Sequence, residues 1–575
     1  MRKLAFYTSW LLLYFVTSCG NSTNNNPAVR IRLAQDPESL HPINYANAYS
    51  LQLLNLLYQS LLTVNLKDHS AQPLLVEALP TVEVQDSLSY FRFKIRPEAK
   101  WDNGNPVTGL DVAFSLKVLQ SPALENDRWR AQYHFIKDIK VDQKDPHSFT
   151  IICSGYAPEM RIMVGDFFVL PQYRFDPQNI LTSFSLPFIR DRFDSLARTT
   201  TFKSFSNALQ NPTLSRNTAE VKGSGPYKLI SWSSGQHVLL QRKNNWWGDQ
   251  VNPIPTPLIA RPDQLLFQII PDDAAATLAL KAGQIDLMDN IPLVAYQEMK
   301  RDRDTKEKIQ FFSPATYDLV FLGMNGASPV LEDKKTRRAI AHLFDIPQII
   351  KTLQGGYATA TIGVVHPTVN AFYHHQLQPI PYNTSKAVQL LKAAGWKKKP
   401  SGWTKHKGGR EIKLALELIH RAGNSDFENM GLLLQQAARS IGVPISIGTL
   451  ESSQISERLN QGNFQLYFRT LTTSPFSYNL LPLLHTSSAK EGGANVTHFG
   501  NKETDRLLER IAKTESPAEQ GELLKQLQER MQEESNFVFL YFLQNKIAIS
   551  KRIDSVVVSS IKPNYDLSKL IIKKE

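Results

Sequence analysis

Apolar positions along the chain follow three rhythms. Residues 29–34 (VRIRLA) and 90–95 (YFRFKI) alternate apolar and polar side chains with period two, the pattern of half-buried strands. Residues 110–120 and 505–533 repeat at helical spacing. Residues 4–16 are an uninterrupted apolar run, shorter than the roughly 20 residues a bilayer core requires. Helix boundaries are marked where capping residues and glycines bracket the periodic stretches. Asn383, Thr384 and Ser385 open a helix over 386–394 that Gly395 stops, and Ser425 and Asp426 open one that runs to about Ser440, before Gly442. Asp272 and Asp273 stand just before a helix beginning near Ala274, where carboxylates cap free N–H groups and favour the positive end of the dipole. Residues 369–409 read as an exposed connection around one short helix, and 470–495 as a long irregular loop of the kind that often carries function. Strand-like and helix-like segments alternate, which predicts an α/β or α+β chain.

The 575 residues exceed one ordinary domain, and 42% hydrophobic with 21% charged residues is a folding composition, so more than one lobe is expected. The formal charge of +12 is spread thinly, with short clusters such as Lys397 to Lys399. That describes a solvated basic face and gives no reason to expect a nucleic-acid partner.

The amino terminus carries a separate message. Arg2 and Lys3 precede the apolar run, and Val16-Thr17-Ser18-Cys19 closes it, the layout of an export signal. The ending resembles the lipobox of bacterial lipoproteins, which implies lipidation of Cys19 and removal of residues 1–18. Residues 20–26 contain no apolar side chain and are expected to act as a tether within 19–27. Cys153, the other cysteine, follows Ile151 and Ile152 and is read as core.

Catalytic signatures are missing: the chain contains no G-x-x-x-x-G-K-[ST], H-E-x-x-H, G-x-S-x-G or C-x-x-C. Ser224 between Gly223 and Gly225 has turn spacing rather than that of a nucleophile elbow, and His374-His375 reads as solvent-exposed. No enzyme activity, cofactor or bound metal is expected.

Several segments, in order, resemble the family 5 extracellular solute-binding proteins, the dipeptide, oligopeptide and nickel receptors of ABC importers. Residues 75–119 carry a hairpin, then Lys100-Trp101-Asp-Asn-Gly104-Asn-Pro-Val-Thr108, then an Asp111-Val112 helix that Thr108 can cap. Residues 223–248 (GSGPYKLISWSSGQHVLLQRKNNWWG) and the pair 270–288 and 321–356 complete the match. The resemblance implies an α/β bilobed periplasmic-binding-protein fold of the large peptide-binding type, with two lobes joined by a two-crossover hinge. It implies a first lobe over 28–310 with an inserted subdomain near 75–220, a second lobe over 311–497, and a return to the first over 498–575. The crossovers are expected near 311–323 and 495–501.

By the same comparison, the ligand site includes Tyr58, Gln59, Gly363, His366, Arg469, Leu471, Thr472, Thr473 and Ser474. Two acids of the family's cleft motifs are replaced. Tyr58-Gln59-Ser60-Leu61 stands for Tyr/Phe-Glu-Gly-Leu, and residues 470–477 (TLTTSPFS) for Trp-x-x-Asp-Tyr-x-x-Pro. The replacements suggest a neutral or anionic small peptide or other small solute, since a hydroxyl lacks the charge-assisted pairing an ammonium group seeks, the alternative being that backbone groups or other acids do that work. Trp232, Trp246 and Trp247 are further stacking candidates, although covering the core suits the last two. The implied partners are ABC permease and ATPase subunits and, through the lipid, a membrane. A periplasmic or extracytoplasmic, anchored, monomeric importer receptor is expected, the alternative being a lipoprotein that senses its ligand and signals to a membrane partner.

Overall fold

The computed structural model describes residues 28–45, 47–122 and 127–573. The expected signal sequence, Cys19 and the expected tether lie outside the described residues. Among the described residues, no helix is long and apolar enough to cross a membrane.

Two mixed sheets form the centres of two lobes. The first has seven strands in the order Ile309–Phe312, Ile547–Ser550, Leu287–Met288, Val29–Leu33, Gln264–Ile269, His237–Arg242 and Tyr227–Ser233. Val29–Leu33 lies in its middle and runs parallel to Gln264–Ile269, pairing Val29 with Leu265 and Leu33 with Ile269. Asp286, fully buried beside this sheet, accepts hydrogen bonds from Arg30 Nε at 3.1 Å and Nη2 at 3.0 Å and pairs with Arg552, tying the two ends of the chain into one lobe. A four-stranded antiparallel sheet, ordered Thr81–Gln85, Leu88–Lys94, Ser148–Ser154 and Ile136–Val141, packs onto this lobe with helix Gly109–Gln120. Thr108 and Asp111 form a reciprocal capping box at the start of that helix.

The second sheet has six strands in the order Ala358–Ala360, Phe537–Gln544, Ala315–Met324, Leu466–Thr472, Leu416–Arg421 and Ile445–Leu450. Strand Phe537–Gln544 (FVFLYFLQ) is buried over its first six residues because helices cover both faces of the sheet, which explains an unbroken apolar run where alternation would mark a one-sided strand.

The chain crosses between the sheets twice, from Phe312 to Ala315 and from Gln544 to Ile547. The expected return to the first lobe at 498 is therefore corrected. Helices Lys502–Lys513 and Pro517–Glu534 bury Leu508, Ile511, Leu524, Leu527 and Met531 against Phe321, Phe537 and Phe539, so residues 498–544 stay with the second sheet. The second crossing is at Asn545 and Lys546, not at 495–501. Asn545 joins the crossings: its N–H donates to Pro314 O at 2.9 Å, its Oδ1 accepts from Asn290 N at 2.9 Å, and its Nδ2 donates to Asn564 Oδ1 at 3.0 Å.

Two other local expectations change. The helical spacing over 505–533 is split after Lys513, because Pro517 cannot donate into a continuing helix and Ser516 caps a new one. Within 369–409, helix Thr384–Ala393 is followed by strands Lys397–Lys399, Gly402–Lys407 and Arg410–Lys413. Lysines crowd these strands and mask their period, but Trp403 is buried and donates to Ile441 O at 2.8 Å.

Candidate ligand-binding site

Helix Ala48–Leu57 begins at Asn47, whose Oδ1 accepts from Ser50 N at 2.7 Å, and ends at Tyr58, which adopts extended backbone. Residues 59–62 then pair antiparallel with 165–169: Val169 N donates to Gln59 O at 2.9 Å, Ser60 bridges Phe168, and Leu62 N donates to Gly165 O at 3.1 Å. The approach demands glycine at 165, since a Cβ there would lie 2.6 Å from Leu62 Cγ.

A cavity of about 750 Å³ opens over this paired segment, within the usual range for small-molecule sites. Helix Ala48–Leu57 contributes Gln52 and Asn55, the hairpin formed by Leu62–Val64 and Ala71–Pro73 another side, and residues 561–569 a third. Tyr45, Trp129, Tyr133 and Phe168 supply an aromatic wall, with Tyr45 5.9 Å from Trp129 and 6.5 Å from Phe168 between ring centroids. Phe476 is the second lobe's contribution to the lining.

Four charged residues line the cavity: Asp166, Lys562, Asp566 and Lys569. Lys569 pairs with Asp566 at 2.9 Å, and Lys562 with Asp318 of the second lobe at 3.0 Å. Asp166 lines the cavity and is exposed. Gln59 is buried, and its Oε1 has no hydrogen-bond partner among the described residues. Tyr565 accepts from Gln52 Nε2 at 2.9 Å, and burial raises its phenol well above the ordinary range.

Beside the cavity the lobes touch. His69, at the hairpin tip, places Nδ1 3.1 Å from the Tyr317 hydroxyl of the second lobe and Nε2 2.9 Å from Ser560 Oγ. Its ring also meets Phe476 edge-on at 6.4 Å. Burial lowers the His69 pKa and raises that of Glu159.

The model of the bacterial extracellular solute-binding proteins, family 5 middle, matches residues 70–491. The chain belongs to family 5. This family 5 protein is 23% identical to the oligopeptide-binding protein AppA of Bacillus subtilis over 585 residues, covering 98% of this chain and 97% of the relative. It is 26% identical over 315 residues to heme-binding protein A of Haemophilus influenzae, covering 53% of this chain and 52% of that one. The structure of Bacillus subtilis AppA in complex with a nonapeptide superposes with a TM-score of 0.67 at 20% identity, covering 95% of this chain and 99% of that one. The bilobed periplasmic peptide-binding fold is thereby shown for this chain.

Against this geometry, the residues singled out from sequence in this family 5 protein fall into three groups. Tyr58 and Gln59 line the cavity, but the ionisable neighbours of the Tyr58 hydroxyl are Asp102, Tyr173 and Arg174, none of which lines it. Thr472, Thr473 and Ser474 do not line it, and their hydroxyls are engaged locally: Thr472 donates to Asp318 at 2.6 Å, Thr473 to Tyr317 O at 3.2 Å, and Ser474 accepts from Phe476 N at 3.1 Å. Leu471 packs on the second-lobe core. Gly363, His366 and Arg469 are also outside the lining. Gly363 approaches Gln528, and Arg469 is exposed on strand Leu466–Thr472. His366 is buried with its ring 5.2 Å from Tyr317 and 4.5 Å from Phe542, and burial, aided by nearby His69, lowers its pKa to about 4. It therefore supports the Tyr317 contact from behind.

The tryptophans have structural work. Trp246 and Trp247 both donate to Ser224 O, at 2.8 and 2.9 Å, and Trp232 donates to Asp36 at 2.8 Å beneath the Arg216 guanidinium. Asp166, His69 and Phe476 were not singled out from sequence. A carboxylate between Gly165 and two phenylalanines was the available signal for Asp166.

Proposed function

We propose that this chain is the solute-binding receptor of an ABC importer, capturing a small peptide or a solute of similar size in the first-lobe cavity and handing it to a membrane permease. The observation that carries this reading is the placement of the cavity beside the interlobe contacts, with Phe476 of the second lobe completing a lining otherwise built by the first. A ligand that fills the cavity and touches Phe476 stabilises the arrangement in which the lobes meet. A receptor's closed state is favoured only to the extent of that differential affinity. Tyr58 and Gln59 belong to the ligand floor, while residues 471–474 with His366 serve lobe closure. At the amino terminus, lipidation of Cys19 and a tether over 19–27 would hold a monomeric receptor at an extracytoplasmic membrane face, where permease and ATPase subunits complete the importer.

The test is calorimetric titration of the mature chain with pools of dipeptides to nonapeptides, beside an Asn55→Trp variant. Asn55 is exposed to the cavity, so the larger ring obstructs the site without entering the core. Binding to the native chain that the variant loses at unchanged melting temperature supports the reading. Binding that survives the obstruction places the ligand elsewhere, and failure of every pool contradicts peptide capture.

A further inference from the structure

The chain enters the first lobe at one end of its seven-stranded sheet, and that end is basic. Strand Val29–Leu33 begins there, Ile309–Phe312 begins there directly after Lys308, and Ile547–Ser550 finishes there directly before Lys551, with Ile309 opposite Ser550 and Ile31 opposite Leu287. Hydrogen bonds hold the flanking segments to one another. Arg552 Nη2 donates to Ala28 O at 2.9 Å, Lys551 N to Lys308 O at 2.7 Å, Lys551 Nζ to Lys306 O at 2.6 Å, and Lys573 N to Arg552 O at 2.8 Å. Lys306, Lys308, Lys551 and Lys573 are thus gathered on the surface where Ala28 emerges, all four exposed and without an ion pair among the described residues. Of the acids on these segments, Asp286 is buried between Arg30 and Arg552, and Glu307 faces Arg303 at 3.5 Å, which leaves Asp304 and Asp554 against the four lysines. The opposite end of the sheet leads through Phe312 and Ile547 into the two crossings to the second lobe, so the basic end lies away from the hinge. Like charges held together by backbone contacts repel one another and attract a surface of opposite sign.

We propose that this end of the first lobe is a membrane-docking surface for anionic phospholipid headgroups, set around the point where the tether leaves the fold. The inference rests on the reading of Cys19 as lipidated, which fixes where the bilayer lies. A tether over 19–27 reaches at most about 30 Å when fully extended, so it keeps Ala28 and the lysines around it near the headgroups. Attraction between exposed charges acts over roughly 8 Å at physiological salt, so it operates when this end, rather than another face, meets the membrane. The lipid then holds the chain at the bilayer and the lysines orient it, with the crossings and the second lobe turned away from the surface and free to move.

The mature chain carrying Cys19→Ser, so that no lipid contributes, is titrated with vesicles of phosphatidylglycerol and phosphatidylcholine in equal parts and with vesicles of phosphatidylcholine alone. Sedimentation reads the binding at low and high salt. At about fivefold per lysine, the native chain should prefer the anionic vesicles by on the order of a hundredfold at low salt and lose that preference at high salt. Lys306→Gln, Lys308→Gln, Lys551→Gln and Lys573→Gln together should reduce the preference to about fivefold or less at unchanged melting temperature. Should that variant fold poorly, Lys308→Gln with Lys573→Gln, whose side chains make no hydrogen bond among the described residues, should lose about twentyfold. Neutralising Lys392, Lys397, Lys398 and Lys413 of the second lobe changes the net charge equally and should leave the preference within about twofold. Equal loss from this control, a preference that survives both patch variants, or a native chain indifferent to phosphatidylglycerol overturns the inference and leaves the lipid anchor intact. Mass spectrometry of the native amino terminus tests the anchor separately, and an unmodified Cys19 overturns both.

Discussion

His69 of the first lobe and Tyr317 of the second are joined by a hydrogen bond of 3.1 Å, and the same imidazole reaches Ser560 of the first lobe at 2.9 Å. The bond exists only while the lobes meet, so its energy belongs to closure rather than to folding. Tyr317→Phe removes the hydroxyl and keeps the ring contacts to His69 and His366. It should weaken ligand binding by about 1 kcal/mol, or roughly fivefold, while the unfolding midpoint without ligand changes little. Parallel calorimetry and thermal denaturation check this. Lys562→Ala, which removes a half-exposed cross-lobe ion pair to Asp318, should cost less than about 1 kcal/mol and lose its effect at high salt.

Stability should decline on acidification through two buried histidines. Burial lowers both His41 and His366 from the ordinary 6.5 to about 4, with Leu209 O opposing the shift at His41. Because the folded pKa values lie below the unfolded ones, the neutral forms are compatible with folding above 6.5. Stability is then lost as pH falls from 6.5 towards 4, on the order of 3 kcal/mol for each residue over the whole window. Urea denaturation at pH 7.5 and 4.5 measures the slope. Replacing either histidine with glutamine should flatten it, and an unchanged slope would assign the acid sensitivity to other groups.

Gly165 is the geometric condition for the cavity floor. A methyl group there would press on Leu62 and push residues 165–168 away from 59–62. Gly165→Ala should cost about 1–3 kcal/mol of stability and weaken peptide binding by more than Tyr317→Phe does, since it displaces Asp166, Phe168 and Gln59 together. Thermal unfolding and titration of the same preparation check both parts.

Asp286 should be the most sensitive single position in the first lobe. It is fully buried, and its carboxylate serves both Arg30 and Arg552. Asp286→Ala leaves two guanidinium groups without their anion and should destabilise the fold by about 3–5 kcal/mol, read from the denaturant midpoint. Thr108→Ala, which removes one half of a part-buried capping box, should cost only about 1 kcal/mol.

Features written in local chemistry were the legible ones. Thr108 before Asp111, Asn383 and Gly395 around their helix, and Trp246 with Trp247 over the glycine turn all act through residues close in sequence or through a strong motif, and the motifs also led to the family. The lobe boundary was misplaced because it depends on where residues 502–544 find apolar partners, and those partners, Phe321 among them, are about two hundred residues away. The cavity lining was partly legible for the same reason. Tyr58 and Gln59, which line it, sit in a recognisable motif, whereas Asp166 joins the lining only when the 165–169 segment pairs with 59–62. The hydroxyls of Thr472 to Ser474 are candidates as ligand groups, and in the structure Thr472 and Thr473 bond to Asp318 and Tyr317 while Ser474 accepts from Phe476 N.

Thermal unfolding of the mature chain across a panel of small peptides, with sugars and free amino acids as controls, tests the central claim most directly. Capture in the cavity predicts that some peptides raise the melting temperature in a saturable manner, by about 2.7 kcal/mol of added stability at roughly 100 times their dissociation constant. No stabilisation by any peptide, with a response to a control class alone, would contradict the account of this chain as a peptide receptor.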